Sequence, residues 1–356
     1  MAFVGRTDIK DPGAAEEQWQ RLGRRRERLY ADDEQFRVTK PDDGIAEAAR
    51  APGLRIAEVM ATVLQGYADR PALGQRAREI VADAATGLAT LSFLPWFETI
   101  SYSQLWARVR ALAADWHHDD EHPVRPGDFV GVLGFSSIDY AALECACIHL
   151  GAVVVPLQTG APAAQHAPIL TETQPRILAV GLDNLETAAE ACLIGTAPQR
   201  LIVFDYEPRD DDQRATYQAA RDRLAESGAD LTLETIDEVV AQGDSLPDAP
   251  LHIAGADEDP LAWVFYTSGS TGTPKGAMFT ESLCIGTWLA QSDQPVITLS
   301  YMPMSHLIGY GYVILTLANG GTSYFAAKSD LSTLFEDLAL VRPTTLSLVL
   351  RVCEMF

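Results

Sequence analysis

The densest run of chemistry-bearing residues lies between Thr267 and Gly276 and reads Thr-Ser-Gly-Ser-Thr-Gly-Thr-Pro-Lys-Gly. Gly269, Gly272 and Gly276 open backbone conformations closed to other residues and let the chain approach an anion closely. Thr267, Ser268, Ser270, Thr271 and Thr273 add hydroxyl donors, and Lys275 adds a cation. Lysine is scarce: Lys10, Lys40, Lys275 and Lys328 are the only ones, so Lys275 is no default solubilising choice. The run follows Leu261 to Tyr266 (LAWVFY), a buried-strand pattern. A strand entering a hydroxyl- and glycine-rich turn with one Lys is a phosphate cradle.

Other glycine-rich motifs fit poorly. A P-loop ends in Gly-Lys-Ser/Thr, whereas here Pro274 precedes Lys275 and Gly276 follows it, which disfavours a P-loop kinase. Gly269 and Gly272 lack the dinucleotide-binding spacing. A flexible Gly/Ser linker is a poor match for a turn wedged between a buried strand and further structured sequence. A second candidate segment is Tyr301-Met302-Pro303-Met304-Ser305-His306-Leu307-Ile308-Gly309, a strand end leading to a His and a Gly that opens a helix. The cysteines, Cys145, Cys147, Cys192, Cys284 and Cys353, are scattered and odd in number, which is no disulfide framework. Cys145 and Cys147 read as small buried hydrophobes rather than zinc ligands, and no metal site is assigned.

The run from Tyr266 to Ala277, YTSGSTGTPKGA, resembles the signature loop of the adenylate-forming superfamily of acyl-CoA synthetases, peptide-synthetase adenylation domains and luciferases. The resemblance implies that Thr267, Ser268, Gly269, Ser270, Thr271, Gly272, Thr273, Lys275 and Gly276 grip the β- and γ-phosphates of ATP. A carboxylate then attacks the α-phosphorus, giving acyl-adenylate and pyrophosphate. It also implies catalytic roles for Lys275 and for His306, the latter beside the acyl pocket. RRRERLYADDEQF, PLQTGAP, YMPMSH and YFAAKSDLSTLFEDLALVRPT narrow the resemblance to the adenylation domain of carboxylic acid reductases, over nearly the whole chain from Arg24. Those enzymes activate a fatty or aromatic acid, load it on a phosphopantetheine arm and reduce the thioester with NADPH. ATP and Mg²⁺ are the implied cofactors here, with phosphopantetheine and NADPH belonging to the full-length reductase reading. Lys328 and Asp330 fall within the resemblance but read as an exposed loop pair.

Two departures from the pattern stand out. Tyr310 stands where those reductases usually place Arg, and Leu350 and Cys353 stand where Pro and an aromatic are expected. The later blocks that supply a Mg²⁺-holding Glu, a ribose-binding Asp and a C-terminal catalytic Lys have no counterpart, and no Lys follows Lys328. The expectation is the front part of an adenylation domain, without lid, carrier and reductase domains. The alternative is a catalytically incompetent remnant with at most weak nucleotide binding.

Composition is close to a globular average: 47% hydrophobic and 21% charged residues over 356 residues. A net charge of −22 argues against general nucleic-acid binding while leaving room for a local anion site built from backbone N–H groups. The first residues carry no apolar signal-peptide core, and no apolar run reaches membrane-span length. Small-molecule acid and ATP are the expected partners and the cytoplasm the expected compartment.

The elements that must position the turn follow from periodicity. Residues 13–36 read as one polar helix and Leu54–Gly66 as an amphipathic helix. A short strand is expected at 70–77, and a helix over Ile100–Trp116 with Ser103 as a possible cap. An α/β alternation begins at Phe129: strands at Phe129–Phe135, Ala152–Leu157, Arg176–Val180 and Leu201–Asp205, with helices from Ser136 to Leu150, Ile169 to Gln174 and Leu185 to Leu193. Thr159–Ala167 reads as a loop, Glu207–Gln213 as a mobile surface insertion and Ile236–Val240 as short structure. The fold class is α/β, a layered large N-terminal adenylation domain with parallel-rich sheets, incomplete on its C-terminal side. Residues 1–50 form a helical extension and 51–356 the partial AMP-binding domain.

The first expectation concerns turnover. With the ribose, metal and lid contacts missing, each worth a few kcal/mol at a transition state, residues 1–356 alone should stay near background. Hydroxylamine trapping with ATP, Mg²⁺ and a panel of fatty and aromatic acids reads this directly. Robust turnover by a monodisperse sample would refute it.

Overall fold

The computed structural model describes residues 12–268 and 274–354. The first expected helix divides into α1 (Pro12–Asp32) and α2 (Glu34–Val38). Asp33 breaks it by turning extended and accepting a hydrogen bond from the Phe36 N–H, which starts a new helix. α3 (Asp43–Ala49) and α4 (Ile56–Gly66) follow, and α4 buries Val59, Met60, Val63 and Leu64 as its spacing requires. The strand expected at 70–77 extends into β1 (Pro71–Ala82) and pairs with an unexpected antiparallel β2 (Ala89–Ser101). α5 (Tyr102–His118) is capped by Ser101 rather than Ser103. The Ser101 hydroxyl accepts from the Gln104 N–H while the Gln104 amide accepts from the Ser101 N–H.

The alternation then runs β3 (Phe129–Leu133), α6 (Ile138–Leu150), β4 (Val153–Leu157), α7 (Ala163–Thr173), β5 (Ile177–Gly181), α8 (Leu185–Ile194) and β6 (Arg200–Phe204). Ser137 caps α6, and Gly151 ends it at a φ of 70°, where a side chain would be strained. Two loop expectations are corrected. α7 already begins at Ala163, inside the expected 159–167 loop. The acidic run near 210 is a helix start: Asp210 accepts from Gln213 N–H and Leu91 N–H and opens α9 (Asp211–Ser227), whose first turn favours carboxylates. β7 (Thr232–Thr235) and α10 (Ile236–Gly243) complete this half. The chain continues through β8 (Leu261–Ser268), β9 (Pro274–Thr280), α11 (Glu281–Trp288), β10 (Ile297–Ser300), α12 (Leu307–Ala318), β11 (Thr322–Phe325), α13 (Leu334–Val341) and α14 (Leu350–Cys353).

Among the described residues the strands form two sheets, ordered β10-β11-β1-β2 and β7-β6-β5-β3-β4-β8-β9. Pairing is parallel except for β1 with β2 and β8 with β9. β3, β4 and β5 in the middle of the larger sheet are apolar at every position because both faces are covered. Val130, Ile177, Ile202 and Phe204 face a core shared with α4, α5, α6 and α12, while Leu133, Leu178, Val180 and Val203 face α7, α8 and α9. The smaller sheet puts Leu73 and Phe325 into the shared core and Ile297, Leu299 and Tyr324 into a third cluster with α13. The result is α13, sheet, helices, sheet, helices. Cys145 and Cys147 are buried in the shared core, as small hydrophobes are. No described helix is long and apolar enough to cross a membrane.

One buried ion network ties the smaller sheet to its outer helix. Arg76 on β1 donates to Asp337 Oδ1 at 2.8 Å, to Glu336 Oε1 at 2.9 Å and to the Leu94 carbonyl at 2.7 Å. Asp337 also accepts from Ala327 N–H and the Thr333 hydroxyl, which fixes the loop after β11. Arg76→Met would strand the fully buried Asp337 carboxylate, so unfolding free energy should fall by about 3–5 kcal/mol. Adding Asp337→Leu should recover most of that loss, because it removes the uncompensated charge. Urea titration of the two variants checks it; a single variant as stable as the parent would show the pair to be dispensable.

Candidate functional site

β8 runs beside β4 in the larger sheet and hands the chain to its edge strand β9 through an antiparallel register, Thr267 opposite Lys275 and Ser268 opposite Pro274. β8 and β9 are therefore the two arms of an antiparallel pair on either side of the sequence-predicted cradle. Gly269, Ser270, Thr271, Gly272 and Thr273 lie outside the described residues. Thr267 and Lys275 bracket them, exposed and opposite each other across the hairpin. Lys275 makes no hydrogen bond or ion pair among the described residues, so its ammonium is available to an anion.

Gly276 plays a different part from the one its composition suggests. Its φ is not positive; instead, a Cβ there would stand 2.6 Å from Val264 Cγ1 and 3.2 Å from the Tyr266 ring. Glycine is needed because those neighbours lean across the pair. Tyr266, at the base of the turn, donates its phenol to Glu172 Oε2 on α7 at 3.0 Å. Burial, and then the adjacent carboxylate, push that phenol above its ordinary pKa, so it remains a donor. This anchor was not expected; nothing in local sequence links residues 94 positions apart.

His306 is the N-cap of α12. Its Nδ1 accepts from the Ile308 N–H at 3.2 Å, which in the neutral ring leaves the proton on Nε2, and the ring is exposed. Gly309 is buried one turn in, where a Cβ would meet the Pro303 carbonyl oxygen at 2.1 Å. Glycine there lets α12 press onto the strand end. The preceding segment is clamped from the other sheet: Ser136 Oγ donates to the Met302 carbonyl at 3.0 Å and accepts from Met304 N–H at 2.8 Å. Ser136, expected to help open α6, instead holds the segment that carries His306. Tyr310 is buried against Trp263 of β8, ring centroids 5.0 Å apart.

A separate crevice of about 460 Å³ lies beyond the C-terminal ends of β3, β5, β6 and β11, where strand order reverses and open α/β sheets commonly bind ligands. Arg78, Asp183, Asp205 and the exposed loop residues Lys328 and Asp330 line it; Lys275 and His306 do not. Lys328 and Asp330 are thus exposed as expected, yet face a cavity. Among the described residues no group of three His, Cys, Asp or Glu side chains could hold a metal ion.

With this geometry in place, comparison with known proteins decides the family. A family model described as AMP-binding enzyme matches residues 81–356. The chain belongs to the AMP-binding enzyme family. This family member is 50% identical over 342 residues to the carboxylic acid reductase of Mycobacterium tuberculosis, covering 94% of this chain and 29% of that protein. It superposes on the A-PCP didomain of the carboxylic acid reductase from Segniliparus rugosus in complex with AMP, with a TM-score of 0.90 and 44% identity, over 94% of this chain and 48% of that one. The A domain of the same reductase, in complex with AMP and a co-purified carboxylic acid, matches with a TM-score of 0.89 and 42% identity, over 94% and 54% of the two chains. This AMP-binding chain thus spans under a third of the curated reductase and about half of the crystallised ones.

Asp205 follows β6 at a φ of 54°, and its carboxyl is pushed up from 3.8 to about 7, by burial first and then by Asp139. The folded state therefore holds this proton where the unfolded chain has lost it, and stability falls as pH rises from about 4 towards 7. Asp205→Asn keeps a side chain that tolerates positive φ and removes the titration. A gap favouring Asn should open across that window and reach on the order of 4 kcal/mol. Urea midpoints at several pH values measure it; parallel curves would contradict it.

Proposed function

We propose that the chain forms the phosphate-gripping front of an adenylation domain that turns a fatty or aromatic carboxylic acid and ATP into acyl-adenylate and pyrophosphate. The observation that carries this is the antiparallel pairing of β8 with β9, which sets Lys275, unpaired among the described residues, opposite Thr267. Support comes from the similar Segniliparus rugosus domain, whose structure contains AMP and a co-purified carboxylic acid.

In this reading the turn hydroxyls and backbone N–H groups of 267–276 bind the β- and γ-phosphates, and Lys275 offsets the charge that grows on departing pyrophosphate. Rate comes from placing the acid carboxylate in line with the α-phosphorus. His306 is assigned to the acyl side, with its Nε2–H free to donate because Nδ1 is committed to its own helix. The Mg²⁺ implied by the resemblance finds no ligand set among the described residues. Transfer to phosphopantetheine and reduction by NADPH would be the work of a longer reductase.

The test uses a protein in which this chain replaces the matching part of the Segniliparus rugosus A domain. Lys275→Ala should slow pyrophosphate exchange roughly 10²-fold or more, with little change in acid affinity. His306→Ala should shift acid affinity or selectivity while ATP affinity moves little. Equal exchange rates in Lys275→Ala and parent would sink the cradle; a His306 variant impaired only towards ATP would reverse that assignment.

A further inference from the structure

Glu144, in the middle of α6, is fully buried, and neither carboxylate oxygen has a hydrogen-bond partner. No charged side chain of α4, α5 or any other described element acts on it. The titratable groups that face it are Tyr140, Cys145 and Cys147 from α6, Cys284 from α11 and Tyr310 from α12, all of which are acids. β8 contributes the Trp263 indole N–H, directed at the carboxyl without reaching hydrogen-bond geometry. Trp263 and Tyr310 pack on each other, and the Tyr310 hydroxyl and Trp263 Nε1 are likewise buried without partners.

An isolated carboxylate cannot be kept ionised in such a place, and the neutral acid is the form that burial allows. A neutral acid has both a donor and an acceptor to offer, and unpartnered polar groups beside it come from β8 (Trp263) and α12 (Tyr310). β8 enters the phosphate turn at Thr267, four residues after Trp263, and α12 begins beside His306, four residues before Tyr310.

We infer that Glu144 is a positioning residue: as an uncharged carboxylic acid it sets β8 against α12, and so places the 267–276 turn relative to His306. The functional weight of that placement rests on the adenylation reading above. The placement itself does not, because it concerns the packing of two elements.

Hydrogen–deuterium exchange on the 1–356 chain, with Glu144→Gln and Glu144→Leu beside the parent, tests it near pH 5.5 and pH 8.5 after correction for intrinsic exchange rates. Glu144→Gln, which keeps shape and polarity and cannot ionise, should match the parent's protection over 261–268 and 306–312 near pH 5.5. Glu144→Leu should keep a similar urea midpoint while exchange rises together in those two segments by roughly tenfold, leaving β6 and α8 unchanged. Because the folded state holds the Glu144 proton far above the ordinary value of 4.5, the parent should lose stability relative to Glu144→Gln as pH rises between the two conditions. If Glu144→Leu does not fold, Glu144→Asp, which retains the acid but shortens its reach, should show the same paired loosening.

Parallel pH dependence of parent and Glu144→Gln would overturn the neutral acid. Unchanged exchange in both segments of the Leu or Asp variant would reduce Glu144 to a space filler and overturn the placement. No arm reads activity, so failure here leaves the adenylation reading standing, and failure of pyrophosphate exchange leaves this result standing.

Discussion

A strand that leads its chain out to an exposed edge strand needs a rigid base, and here that base is the alternation of side chains along β8. Trp263 and Phe265 point into the core shared with α6 and α12, while Val264 and Tyr266 point to the face covered by α7. Burying an aromatic side chain of this size contributes about 1.5–3 kcal/mol, so the strand is held from both sides before its last residues reach solvent. β9 contributes little of its own. It is an edge strand, exposed from Lys275 to Met278, and is anchored by Phe279 edge-on to Phe265 at 5.3 Å. The cradle residues thus lie between a strand packed on both faces and an exposed edge strand.

The second candidate segment depends on the same core by a different route. α12 reaches it through Tyr310, Val313, Ile314 and Leu317, and its first turn is pressed onto the Pro303 carbonyl by the absence of a side chain at Gly309. Ser136 then joins the end of β3 to the Met302–Met304 backbone, so the two sheets meet at the residues just before His306. Charge is handled locally in a chain of net −22. Arg76 gathers two carboxylates and Arg200 three, which ties elements together.

Much of the architecture was legible in local sequence. Continuous apolar runs such as Phe129–Leu133 and Val153–Leu157 announce strands covered on both faces, and Gly151 marks a helix end because only glycine takes that backbone cheaply. The misses have equally local causes. β2 mixes apolar and polar residues because much of it is half-exposed, so its pattern is weak. The acidic stretch near Asp210 looks like a solvated loop by composition, whereas a helix N-terminus favours the same residues. Ser101 and Ser103 are equivalent as caps on paper; Gln104 decides between them by completing the reciprocal pair with Ser101.

By itself the sequence determined the α/β class, the strand that feeds the turn, and the residues from Thr267 to Gly276 whose types suit phosphate, because those properties reside in composition and in spacing of a few residues. It also carried the resemblance to which the family match at residues 81–356 corresponds. Only the tertiary structure decided that β8 and β9 pair antiparallel on either side of the cradle, that Gly276 is required for space rather than for backbone freedom, and that Tyr266 is tethered to Glu172. The same holds for Glu144, an ordinary helical residue in the sequence and a carboxyl sealed among Trp263, Tyr310 and three thiols in the fold. The reason is one of range: propensity and periodicity act over a helical turn or a strand, whereas the dielectric and the partners of a buried group are set by elements more than a hundred residues away.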